Sequence, residues 1–427
     1  MLLVKGGSVQ GATAGMFDIL INDGRVADVS EKIRPGNDMT VLDASGMIVA
    51  PGLADMHVHF RDPGFEYKED ILTGSAAAAA GGVTTCCCMP NTDPAADNAN
   101  VIGYIAKKAN LELIKVRVLP YGAVTIGQNG KELTDFAALK KVGAMALSDD
   151  GNPIQSEDVM RRALRLANDN GLIIISHCED ADLVKNYAVN EGKVSQMLGL
   201  PGRPAKAEEI MAERDAALAA ETGAAVHIAH VSTAGSVDII RKAKAAGTKI
   251  TAETCPQYFT LTEEEVLRQG AMARVNPPLR TRSDVDEIIQ GLADGTIDVI
   301  ATDHAPHSKK EKKRPLTDAP SGMIGLETSL AVTLTSLYHT GKLSMEKIIA
   351  LMSENPARVL GLDAGTISVG AIADIVIFDP NEEWVVNPKQ FKSRSRNSPF
   401  SGMTLRGRVK HTISKGAIVY SDKSKTY

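Results

Sequence analysis

The chain has 427 residues, enough for one large barrel with an accessory domain or for two to three ordinary domains. A formal net charge of -5 and an aromatic content of 4% argue against a nucleic-acid or anionic-membrane binder and leave a small molecule as the expected partner. No early stretch has the basic head and apolar core of a signal peptide, and no apolar run reaches the roughly 18 to 20 residues of a membrane span, so a cytoplasmic protein is expected.

The first 50 residues alternate short β-like runs with turns: Leu2 to Val4, Phe17 to Asn22 before Asp23-Gly24, Arg25 to Val29, and Val41 to Gly46. The same texture returns after residue 364, in Ala373 to Pro380, Glu383 to Val386, Leu405 to Ile413 and Ala417 to Tyr420. Residues 1–50 and 365–427 are therefore expected to build one small β-sandwich domain from both termini. The middle, 51–364, alternates strand and helix patterns, the mark of a parallel sheet made of βα units. Its eight strand candidates are Ile48 to Phe60, Val83 to Met89, Val116 to Val124, Ala144 to Ser148, Leu172 to Cys178, Ala225 to Val231, Lys249 to Cys255 and Asp298 to Thr302. Helical patterns separate most of them: Gly74 to Ala80, Val101 to Ala109, Leu133 to Lys141, Ser156 to Asn170, Ala207 to Thr222, Ser236 to Ala246 and Asp284 to Asp294. This is an α/β chain whose middle fits a (β/α)8 TIM barrel with loop insertions; an open doubly wound sheet is the alternative.

Cys86-Cys87-Cys88 sits inside a strand pattern, where neighbours point to opposite faces and form no ordinary disulfide; small buried residues in a reducing compartment are expected. The Ala76 to Ala80 tract before Gly81-Gly82 suits close helix packing. The charge run Lys309 to Arg314 reads as a solvated loop, although its place after the eighth strand keeps a mobile lid open.

His57-Val58-His59 follows an apolar run, and side chains two apart on a strand share a face, so both imidazoles can converge on one ion. In a barrel the chemistry sits at the C-terminal strand ends. His57 and His59 end strand one, Asp149-Asp150 strand four, His177 strand five, His230 strand six and Asp303 strand eight. Each has a plainer reading: a core histidine bonded to backbone, a turn cap before Gly151-Asn152-Pro153, an ordinary loop carboxylate. Their coincidence at one barrel face outweighs those readings. Four histidines and two carboxylates exceed the three or four protein ligands of one catalytic zinc, so two metals bridged by a carboxylate and a hydroxide are the simplest reading. Nitrogen and oxygen donors without thiolate suit Zn2+, with manganese or cobalt as substitutes. Spacing alone does not choose between Asp149 and Asp150. His227 is placed on the opposite strand face from His230, with a structural role, and His339 and His411 at the surface.

His-Val-His-Phe-Arg-Asp-Pro-Gly at 57–64, Met-Pro-Asn at 89–91, Ser-Asp-Asp-Gly at 148–151, His-Cys-Glu-Asp at 177–180, His-Val-Ser-Thr at 230–233, Arg-Val-Asn-Pro-Pro-Leu-Arg at 274–280, Ala-Thr-Asp-His-Ala-Pro-His at 301–307 and Asn-Pro-Ala-Arg at 355–358 follow one another. In this order they resemble the dihydroorotases of the bacterial class I type, within the amidohydrolase superfamily. The resemblance spans nearly the whole chain. It implies one zinc on His57, His59 and Asp303, a second on His177 and His230, and Asp150 bridging. Related hydantoinases and dihydropyrimidinases usually bridge their metals with a carboxylated lysine, and Ser148-Asp149-Asp150 offers none. The implied reaction is the reversible cyclisation of N-carbamoyl-L-aspartate to L-dihydroorotate in pyrimidine synthesis, with Asp303 as base and then acid. Arg61, two residues past His59, has a guanidinium suited to fork onto the substrate carboxylate, against the plainer reading of a salt bridge to Asp62 or Glu66. The resemblance adds His59, Asn91, Asn276, His307, Ser321 and Gly322 as substrate contacts, a homodimer, and association with aspartate transcarbamoylase. Two alternatives remain: another cyclic amidase, of allantoinase or hydantoinase type, or an inactive partner of aspartate transcarbamoylase.

Overall fold

The computed structural model describes residues 1–11, 14–184 and 187–422. Seven short strands and one single-residue stave form a closed parallel barrel. Leu53–Val58, Val83–Cys88 and Arg117–Pro120 pair in that order, as do Ile174–Ser176, Val226–Ile228, Ile250–Thr254 and Val299–Ile300. Bridges from Leu147 to Gly122 and to Ile174 join the two groups, and a bridge from Val58 to His304 closes the ring. The strand expected over Ala144 to Ser148 is thus reduced to one bridged residue. Its backbone is still satisfied on both sides, since Met145 N donates to Pro120 O and Leu147 N to Ile173 O.

The expected strand Ile48 to Phe60 is two strands. Ile48–Pro51 pairs antiparallel with Ile375–Val385 in another sheet, and only Leu53–Val58 belongs to the barrel. Gly52 makes the crossing: a Cβ there would meet Thr84 Oγ1 at 2.3 Å, so no larger residue passes.

Crossover helices cover the barrel, and most start on a side-chain cap. Asp70, Asn98, Asp135, Ser156, Thr233 and Thr281 each accept a backbone N–H of the following turn, and such caps are worth about 1 kcal/mol each. The alanine tract lies in helix Ile71–Ala80, with Ala77, Ala78 and Ala79 fully buried. A Cβ on Gly74 would meet the Phe60 ring at 2.4 Å, so small residues here set the helix-to-strand spacing. Residues 329–360, for which the sequence suggested no element, are largely helical.

The β-sandwich domain is one continuous sheet in the order Ala417–Ser421, Thr404–Ser414, Ile375–Val385, Ile48–Pro51, Leu2–Val9, Gly15–Asn22, Arg25–Ser30, with Thr40–Asp43 parallel to Leu2–Val9. Its core holds Leu2, Val4, Ile19, Ile21, Ile375 and Ile377. Alternation along Ile375–Val385 sends Val376 and Phe378 the other way, into the core shared with the barrel helices. Cys86 and Cys88 likewise face that core and Cys87 the barrel interior, and burial pushes the Cys87 thiol up to about 12. All five cysteines are free and buried. No helix among the described residues is long and apolar enough to cross a membrane.

Candidate active site

The polar side chains at the barrel mouth are carried past the strand ends by strained backbone. Arg61, His230 and Asp303 adopt left-handed φ values of 61°, 35° and 48°, conformations a non-glycine residue holds only when its surroundings over-determine it. Asp303 Oδ1 lies 3.0 Å from His59 Nε2 and 3.6 Å from His57 Nε2. Across from it, Asp150 reaches His57 Nε2 and His59 Nε2 at 3.5 Å, His177 Nδ1 at 3.3 Å and His230 Nε2 at 3.4 Å. His177 Nδ1 and His230 Nε2 are 2.8 Å apart. Burial by itself would raise the Asp150 carboxyl, but the His57 charge and the hydrogen bonds of His177 and His230 hold it well below the usual carboxylate range.

Asp149, the neighbour that spacing could not set aside, faces away. Its carboxylate accepts the N–H groups of Val124 and Thr125 at 2.8 and 3.1 Å and the Thr125 hydroxyl, fixing a loop after the third strand.

Among the described residues two groups have metal-ligand geometry: His57, His59 and Asp303, and His57, Asp150 and His230. Donor atoms about 2.0 to 2.2 Å from one tetrahedral ion are roughly 3.3 to 3.6 Å apart; the Nε2 atoms of His57 and His59 lie 3.0 to 3.6 Å from carboxylate oxygens of Asp150 and Asp303. His57 Nε2 is buried at the centre without a hydrogen-bond partner, an orphan that a cation would satisfy. These nitrogen and oxygen donors fit a divalent metal ion.

The outer faces of the imidazoles are fastened. His57 Nδ1 donates to Glu253 Oε1 at 2.6 Å and His59 Nδ1 to Asn91 Oδ1 at 2.9 Å, while Asn276 Nδ2 lies 3.4 Å from His177 Nε2. Such partners orient metal-binding imidazoles and fix their tautomer. Glu253 also lies 3.3 Å from His227 Nε2, whose other nitrogen meets Thr251 Oγ1 at 2.8 Å. His227 is therefore not turned away from the site; it lies behind His57 in the same polar interior. The three-residue spacing misleads because the ladder ends at Ile228 and His230 takes a left-handed turn. Sequence reading also passed over Glu253, a mid-strand residue in no motif, and Arg203, which pairs with Glu179 at 2.5 Å and donates to Asn276 Oδ1. His339 and His411 bond Pro380 O and Ser421 Oγ, outside the site.

A cavity of about 230 Å³ opens onto the cluster. His59, Arg61, Asn91, Asn276, His307, Ser321 and Gly322 line it, with Gly151 and Ala305. Arg61 makes no ion pair among the described residues, and its Nε is buried without a partner. The Asp62 carboxylate is taken up by Lys108 at 2.7 Å and Tyr104 Oη at 3.0 Å. His307 Nε2 donates to Ser321 O at 2.8 Å. Burial, with Arg61 beside it, holds His307 far below its ordinary pKa, as a neutral ring.

Residues 46–236 match the family model described as dihydro-orotase-like, and residues 326–420 that of the amidohydrolase family. The dihydroorotase of Citrifermentans bemidjiense is 50% identical over 422 residues, 98% of this chain and 99% of that protein. Those of Acetivibrio thermocellus and Pelotomaculum thermopropionicum are 48% and 50% identical, each over 99% of both chains. Among solved structures, an L-hydantoinase from Arthrobacter aurescens matches with a TM-score of 0.89 at 28% identity, covering 100% of this chain and 97% of that one. A D-hydantoinase from Bacillus sp. AR9 matches at 0.87 and 25%, covering 99% and 96%. Half-identity sustained along entire dihydroorotases, on a barrel and β-sandwich shared with the hydantoinases, shows that the chain belongs to the dihydroorotase family of the amidohydrolase superfamily.

Proposed function

We propose that the protein is a dihydroorotase, a hydrolase of a cyclic amide that interconverts L-dihydroorotate and N-carbamoyl-L-aspartate, and that it is of the class I type. The observation that carries the substrate is Arg61: a guanidinium with no carboxylate partner among the described residues, in the same small cavity as the His and Asp cluster, suits a ring that bears a carboxylate beside its scissile amide. Asp150 in place of a bridging lysine supports the class I assignment.

His57, His59 and Asp303 would hold one zinc and His177 and His230 a second, with Asp150 between them; such metals polarise the amide carbonyl and lower the pKa of water. Asp303 serves as the base that takes the proton of the attacking water. It returns that proton to the ring nitrogen as the C–N bond breaks, and ring closure reverses the transfer. Arg61 holds the carboxylate, and Asn91, Asn276 and neutral His307 hydrogen-bond the polar edges of the ring, with Ser321 and Gly322 as its backbone wall. This division of labour sits within a barrel domain of residues 51–364, with 1–50 and 365–427 forming the β domain.

Two zinc ions per subunit, a cytoplasmic location, a homodimer and association with aspartate transcarbamoylase complete the proposal on the strength of the resemblance. The deciding experiment compares turnover of dihydroorotate, hydantoin, dihydrouracil and allantoin on one preparation whose metal content is measured. Preference for any of the last three, or inactivity of the fully metal-loaded chain, refutes the reading.

A further inference from the structure

Within the charge run, Lys309, Lys310, Lys313 and Arg314 are exposed, but Lys312 is only 5% exposed. Helix Lys309–Lys312 starts on a Ser308 cap, and its last two residues reach opposite walls of the pocket. Glu311 pairs with Lys68 at 3.1 Å and accepts the Tyr67 hydroxyl at 3.1 Å, in the loop that begins at Arg61. Lys312 Nζ donates to Gly322 O at 2.9 Å, Pro320 O at 3.1 Å and Arg274 O at 3.2 Å. Among the described residues it has no carboxylate partner. Burial, with the Arg274 guanidinium nearby, pushes the ammonium down to about 7. A buried cation without a counter-ion is costly, and here all three of its acceptors are backbone carbonyls of the loops that carry Asn276 and Gly322. Those loops also grip each other, Gly322 N donating to Arg274 O at 2.9 Å, and Asn397, from the C-terminal segment outside both, donates through Nδ2 to Gly322 O at 3.1 Å.

We propose that Lys312 is a positioning residue for the substrate pocket, pinning the strap over residues 308–320 to the walls that present Asn276 and Ser321-Gly322, while Glu311 pins the same strap to the Arg61 loop. The occupant rests on the cyclic-amide reading above; the strap does not. Lys312 touches no reacting atom, so its loss loosens the pocket and leaves the chemistry intact.

The test uses the full-length, metal-loaded protein and Lys312→Met, which keeps the stem and removes the donors. KM for both dihydroorotate and carbamoyl aspartate rises about tenfold, which corresponds to about 1.4 kcal/mol, with kcat and metal content held. Trypsin cuts faster at Lys309, Lys310 and Lys313 in the absence of any ligand. Glu311→Gln, which leaves Lys312 in place, moves both readouts the same way by a smaller factor and serves if the first variant fails to fold. Unchanged KM with unchanged cleavage overturns the proposal. So does a joint fall of kcat, metal content and melting temperature, which marks a merely structural lysine. If wild-type protein does not turn over dihydroorotate, the substrate reading fails, and the cleavage rates alone decide the strap.

Discussion

The cleft between the barrel and the β domain encloses about 580 Å³, more than twice the cavity of about 230 Å³ at the barrel mouth, yet the two are built on opposite plans. Leu330, Trp384, Phe391, Val409 and Tyr420 line the cleft, where Arg408 stacks over Trp384 and bonds Asp422 at 2.9 Å. Glu327 there accepts the Lys392 and Ser393 N–H groups at 2.8 to 3.0 Å. At the mouth, four imidazoles and two carboxylates converge, and buried atoms of His57, His230, Arg61 and His307 are left without partners. The carboxyls respond in opposite senses. Asp150 is held far down by the imidazoles around it, whereas burial pushes Glu327 up to about 7. Space is therefore a poor guide to chemistry in this fold; unsatisfied polarity held in place by the scaffold is a better one.

The largest effect should come from removing that convergence. A His57→Ala, His59→Ala double variant is expected to fold, lose its metal and lose activity to background. Normal metal content by elemental analysis in the folded variant would break the contrast outright. Asp303→Asn comes next: it keeps an oxygen at the site but no base, so kcat should fall about 10²- to 10⁴-fold while substrate binding changes far less. A loss below about tenfold would remove Asp303 from the proton transfer. Arg61→Lys is a smaller perturbation, since the charge stays and the fork goes. KM for both substrates should rise on the order of tenfold, about 1.4 kcal/mol, at unchanged metal content. Unaltered kinetics would mean that the unpaired guanidinium is idle.

The same contrast accounts for what the sequence disclosed. His57, His59, His177, His230 and Asp303 were legible because each ends a β-branched or apolar run, and barrel topology brings such ends to one face. Asp150 was not separable from Asp149, because what distinguishes them is a set of hydrogen bonds to Val124 and Thr125, about 25 residues away and invisible to spacing. Glu253 and His227 lie mid-strand with no motif around them, and their role exists only through contact with His57. The split of the first strand at Gly52 depends on pairing with Ile375–Val385, more than 300 residues on. Lys312 was hidden by its company, since a lysine among five charged neighbours reads as solvated.

The smallest effect is expected in the cleft, and its sign follows from linkage. Glu327 carries a folded-state pKa of about 7 against an ordinary 4.5, so between those values the folded protein keeps a proton that the unfolded chain has released. Its contribution to stability is thus fully present below about pH 4.5 and lost as pH rises through 7. Glu327→Gln is neutral at every pH and should escape that loss. Its amide oxygen in the place of Oε1 accepts both N–H groups, and its new N–H faces only the Lys392 donor, which imposes an offset of its own, but that offset does not titrate. The informative quantity is accordingly the difference in melting temperature between variant and wild type as a function of pH, in which metal-linked and other shared titrations cancel to first order. The variant should gain on wild type from pH 5 to 8 by an increment equivalent to about 1 to 3 kcal/mol, with dihydroorotase activity unchanged. A flat difference would mean that Glu327 is ionised across that range like a surface carboxylate. A fall in activity would mean that the cleft and the mouth are coupled, and the contrast between them would have to be redrawn.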